Sequence, residues 1–104
     1  MAKILVVEDE GAIRELLLRN LRLVGHQPQG ADSLPAARTL LERERFDLML
    51  LDIIMPELDG FKVLEAMNQW RWIVSIPVIM ISAESVTSFV ERAYELGVSD
   101  YISR

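Results

Sequence analysis

Three short runs of consecutive apolar residues punctuate the chain, and each stops abruptly at a polar side chain: Ile4 to Val7 at Glu8-Asp9-Glu10, Leu48 to Leu51 at Asp52, and Val78 to Ile81 at Ser82. An unbroken apolar run suits a strand covered on both faces, since polar and apolar positions alternate only where one face meets water. Between and after the runs, apolar positions recur at helical spacing. They are Ile13, Leu16, Leu17, Leu21 and Val24, then Leu34, Ala37, Leu40 and Leu41, then Val63, Leu64, Met67 and Trp70, and last Val86, Phe89, Val90, Ala93 and Leu96. Gly25 and Gly97 stand where glycine closes a helix, and Ser33 stands where a side-chain oxygen opens one. Residues His26 to Ala31 are polar and contain Pro28, which cannot donate to a ladder, so a strand here belongs at a sheet edge. Asp100 to Ser103 reads as a short last strand, and Glu42-Arg43-Glu44-Arg45 as a solvated face. Strands alternating with amphipathic helices across short loops predict right-handed crossovers and an open, doubly wound α/β fold on a parallel sheet.

Length and composition narrow the class. At 104 residues the chain suffices for one domain, 1–104, and no internal repeat or linker divides it. A net charge of −5 without clustered Lys and Arg argues against a nucleic-acid surface. The absence of Cys excludes a thiolate metal site and permits a reducing compartment, with the cytoplasm as the expectation. The apolar stretch near the start is too short for a signal segment or a membrane span, so no membrane partner is expected.

In open α/β sheets ligands bind beyond the carboxyl ends of the strands, and that is where the polar residues collect. Strand one ends in Glu8 and Asp9, strand three in Asp52, strand four in Ser82, and strand five in Arg104. Carboxylates converging on one edge repel one another unless a cation sits among them. Magnesium suits best, because it needs few carboxylates, keeps several waters and leaves positions for a backbone carbonyl and a phosphoryl oxygen. With charge on the transferring oxygens neutralised by the ion and Arg104, Asp52 can act as an in-line nucleophile and form an aspartyl phosphate. A magnesium-dependent hydrolase with an Asp nucleophile would need a second acid two residues on, where Ile54 stands. An unphosphorylated interaction module is the other alternative.

Along its whole length the chain resembles the receiver domains of two-component response regulators, most closely the branch of DNA-binding regulators. The residues that carry the resemblance are Ile4-Leu5-Val6-Val7-Glu8-Asp9-Glu10, Asp52, Met55-Pro-Glu-Leu-Asp-Gly60, Ser82-Ala83 and Asp100-Tyr101-Ile102. The resemblance implies a flavodoxin-like fold with strand order 2-1-3-4-5. It implies a phosphoacceptor at Asp52 that receives its phosphoryl group from a histidine kinase or histidine phosphotransfer protein. It also implies Mg2+ held by Asp9, Asp52 and the backbone carbonyl of Ile54, with Glu8 acting partly through water. Ser82 and Tyr101 would form the switch pair whose rearrangement changes what an output domain or effector binds. The apolar Ile54, flanking the site with Glu84, implies slow self-hydrolysis.

Two departures stand out. Arg104 occupies the place of the family's Lys and exchanges a compact ammonium for a planar fork, which puts the coupling of phosphoryl binding to switching in question. The sequence also stops before the fifth helix, so an uncovered apolar flank and association, including into a homodimer, are expected. Other conspicuous residues have plain readings: Asp59-Gly60 as a helix cap, His26 as an ordinary polar edge residue, Trp70 and Trp72 as cover for the end of helix three, and the Met residues as core filling.

Overall fold

A computed structural model of the chain describes residues 1–52, 60–70, 76–82 and 87–103. Strands β1 (Lys3–Val7), β2 (Gln27–Ala31), β3 (Leu48–Asp52), β4 (Val78–Ser82) and β5 (Asp100–Ser103) alternate with helices α1 (Gly11–Leu23), α2 (Leu34–Arg43), α3 (Gly60–Gln69) and α4 (Thr87–Glu95). The strands form one parallel sheet in the order β2-β1-β3-β4-β5. The strand containing Pro28 lies at the edge, as the missing donor requires.

The local punctuation follows the chemistry of the punctuating residues. Ser33 Oγ accepts from the Ala36 N–H at the start of α2, with Pro35 in the first turn. After α1, Gly25 adopts φ 94°, and after α4, Gly97 adopts φ 101°, conformations in which a Cβ would be strained.

Two apolar clusters lie on the two sides of the sheet. The larger gathers Leu5, Val7, Met49, Leu51, Val78 and Met80 from the strands with Ala37, Leu41, Val63, Leu64, Met67 and Ala93 from the helices. The smaller gathers Ile4, Val6 and Leu18, with Leu17, Leu21, Leu48 and Leu50 packed around them. Farther along the sheet from β1, Ile79 and Ile81 are half-buried and Ile102 keeps 46% of its surface exposed.

Strands three and four end in Asp52 and Ser82, as the polar stops on their apolar runs suggest. Two expectations are corrected in detail. On α1, Leu16 is exposed and the buried side chain is Leu18, while Val24, just past the helix end, is exposed. Of the methionines, Met49, Met67 and Met80 fill the core, whereas Met1 is exposed. Trp70 is half-buried at the end of α3 with the Arg38 guanidinium 4.4 Å from its ring centroid; Trp72 lies outside the described residues.

Candidate functional site

The register of the sheet determines which residues meet at its carboxyl edge. Val7 pairs with Leu51 across β1 and β3, so Glu8 and Asp52 are the next residues along two neighbouring strands. Leu51 pairs with Met80 and Asp52 with Ile81, which carries Ser82 one step beyond Asp52 on the following strand. The Glu8 N–H donates to the Ala31 carbonyl at 3.0 Å, which extends the β1–β2 pairing beyond the last strand residue and fixes the backbone there.

Burial sets these residues apart. Among the described residues, the buried polar or charged side chains are Glu8 (2% exposed), Asp52 (4%) and Ser82 (0%), and all three stand at the carboxyl edge. Glu8 Oε2 and Asp52 Oδ2 are themselves buried atoms. Removing a carboxylate from water is costly, and two of them on neighbouring strands add mutual repulsion. Asp9, the next residue, is half-buried.

The donor chemistry fits a hard divalent ion: the acidic groups are all carboxylates, and His26, the single imidazole of the chain, lies at the opposite end of β2 accepting from the Ala2 N–H. The expectation that three carboxylates converge is narrowed, however. Among the described residues, no group of three or more His, Cys, Asp or Glu side chains is arranged to hold a metal. The ligand set implied by the family resemblance is smaller, asking for Asp9, Asp52 and one backbone carbonyl. That carbonyl, of Ile54, lies outside the described residues, as do Met55 to Asp59, Ala83, Glu84 and Arg104.

Tyr101 pairs with Met80 on β4, is half-buried and packs against the larger core cluster. Its N–H donates to the neighbouring Asp100 Oδ1 at 2.8 Å. Two residues outside the expected site, Arg14 and Gly30, lie against each other, and the Arg14 guanidinium reaches the Glu8 carbonyl. The signal for the glycine was present, because an isolated Gly inside a strand marks a close approach of another group.

This strand order with intervening helices is the flavodoxin-like arrangement, and solved proteins share it closely. The chemotaxis protein CheY4 of Vibrio cholerae, 24% identical, superposes with a TM-score of 0.91 over 100% of this chain and 87% of its own, a likeness of fold. Response regulator protein TrrA of Thermotoga maritima, solved in complex with Mg(2+)-BeF, is 28% identical with a TM-score of 0.82 over 100% and 87% of the two chains. Residues 4–104 match the family model of the response regulator receiver domain, and the chain belongs to that family, the regulatory modules of two-component systems. Among sequence relatives, the response regulator protein FleR of Pseudomonas aeruginosa is 37% identical over 97% of this chain and 21% of its own length. A probable transcriptional regulator, ycf27, of Porphyridium aerugineum is 36% identical over 96% and 40%. The chain thus spans less than half the length of these curated relatives. No helix among the described residues is long and apolar enough to cross a membrane.

Proposed function

We propose that residues 1–104 form one receiver domain that acts as a phosphoacceptor switch, taking a phosphoryl group from a partner's phosphohistidine onto Asp52. The observation that carries this reading is the Val7–Leu51 register, which sets the buried Glu8 and Asp52 side by side, with Ser82 buried on the next strand. Asp9, Asp52 and the Ile54 carbonyl would hold magnesium, with Glu8 acting partly through water. When bound, the ion supplies positive charge to the transferring oxygens. A carboxylate oxygen of Asp52 attacks phosphorus in line, the phosphorus–nitrogen bond of the donor breaks, and the departing imidazole takes up a proton. The Ser82 hydroxyl and Arg104 bind phosphoryl oxygens, and movement of Ser82 is matched by rearrangement of Tyr101. By the family resemblance Ile54 is one of the side chains flanking the acceptor, and an apolar residue in that position gives little help to an attacking water, so slow self-hydrolysis is expected.

The donor is a histidine kinase or histidine phosphotransfer protein, and the receiver of the signal is an output domain or effector. Several relatives are transcriptional regulators by name, so DNA contact belongs to such an output domain and not to this acidic chain. The setting is cytoplasmic, and the exposed apolar surface around Ile102 favours association of two copies.

Incubation with a small phosphodonor and magnesium tests the reading. The expected result is an acid-labile adduct that is stable over the assay and is lost in Asp52→Asn. Continuous phosphate release without an accumulating adduct would indicate a hydrolase. The absence of any reaction would indicate a bare interaction module.

A further inference from the structure

The backbone of Glu8 is held from two directions. Its N–H donates to β2, and its carbonyl accepts from Arg14 Nη1 at 2.9 Å. Arg14 stands in the first turn of α1, where its own N–H donates to the Glu10 carbonyl at 2.9 Å. The ordinary first-turn bond of α1 thus fixes residue 10, and the Arg14 side chain adds a tie to residue 8, so both ends of the three-residue connection that contains Asp9 are held. A guanidinium suits this task, because its donors are fixed in a plane and its bond to a carbonyl is charge-assisted.

The path of that side chain explains a glycine. Gly30 pairs with Val6, two residues before Glu8. A Cβ on Gly30 would lie 3.0 Å from Arg14 Cδ, 3.2 Å from Arg14 Cγ and 3.1 Å from Leu18 Cδ1, closer than ordinary contact. The Arg14 arm thus passes over the bare α-carbon of β2 on its way to the end of β1.

We propose that Arg14 is a positioning residue for the acidic segment: through the Glu8 carbonyl it holds Glu8 and Asp9 in the shape that receives a divalent cation, and Gly30 provides room for its arm. The proposal rests on the phosphoacceptor reading above. Charge and geometry predict opposite signs here. A guanidinium acting only as a nearby positive charge would repel a cation, so removing it would tighten metal binding. A guanidinium that shapes the ligand segment would weaken metal binding when removed, and loss of such supporting partners costs about 10–100-fold in metal affinity.

Magnesium titrated calorimetrically into the full 104-residue chain, as wild type, Arg14→Gln and Arg14→Lys, decides between them. The expected result is an affinity lowered about tenfold in Arg14→Gln and incompletely restored in Arg14→Lys, which keeps the charge without the planar fork. Thermal unfolding in chelator is followed in parallel, because a purely structural role would lower the melting midpoint and leave the magnesium affinity of the folded chain unmoved. Should Arg14→Gln fail to fold, Gly30→Ala displaces the arm without deleting it and is expected to weaken magnesium binding in the same direction. Unchanged or tighter binding in the folded variants, or full restoration in Arg14→Lys, would overturn the assignment and leave the phosphoacceptor reading intact. A wild-type chain that binds no magnesium would overturn both.

Discussion

Glu44 is the residue on which a small polar network closes. Gln29 Nε2 donates to both of its carboxylate oxygens, at 2.8 and 2.7 Å, and the Lys3 ammonium pairs with it while lying 5.6 Å from the centroid of the Phe46 ring. The hydrogen bond from Lys3, and after it that from Gln29, holds the Glu44 carboxyl below its ordinary value of 4.5. A group whose pKa is lower folded than unfolded contributes stability above the unfolded value and loses that contribution as pH falls through the folded one. Glu44→Gln is therefore expected to be slightly less stable than wild type at neutral pH, with the difference in urea midpoint shrinking as pH drops below about 4.5; the effect is small because the group is accessible to solvent. A difference that persists unchanged into acid would contradict the role of its charge. From the sequence alone Glu44 belongs to a solvated face, because partners 41 and 15 residues away leave no local pattern. Arg14 carries no pattern of its own either, because its bond to the Glu8 carbonyl, six residues back, takes shape only where the end of β1 meets the first turn of α1.

At the scale of the element, α1 shows where periodicity fails to decide. Leu16, Leu17 and Leu18 are consecutive, and a 3.6-residue repeat accepts more than one choice among them. Packing decides. Leu18 lies on Ile4 and Val6 at 5% exposure, Leu17 and Leu21 flank it, and Leu16 retains 58% of its surface. Leu18→Ala is expected to cost about 3 kcal/mol of unfolding free energy, as deletion of a buried leucine does, and Leu16→Ala within about 0.5 kcal/mol of nothing. Chemical denaturation measures both, and equal losses would show that the buried face of α1 is misassigned. The strands were easier to read. Residues covered on both faces are apolar without interruption, so the ends of β1, β3 and β4 are visible to within one residue. The polar stops Asp52 and Ser82 close their strands as ladder members and are held by the sheet.

Across the whole molecule, alternation of strands and helices was sufficient for the doubly wound class, but strand order is not written in strands that are uniformly apolar. Order came from the resemblance to receiver domains, and the β2-β1-β3-β4-β5 sheet agrees with it. The candidate site was legible as a set of polar stops on apolar runs. What the stops could not convey is register, and register is what makes Glu8 and Asp52 neighbours. On the proposed function, this edge directs phosphorylation to one carboxylate with the help of a divalent ion. Borohydride reduction of the phosphorylated chain, followed by fragment mass spectrometry, locates an acyl phosphate by converting the modified aspartate to homoserine. Conversion is expected at Asp52 when phosphodonor and magnesium are both present, and none when a chelator removes the ion. Conversion at Glu8 or Asp9 in place of Asp52, or at Asp52 with the metal fully chelated, would contradict the proposed function.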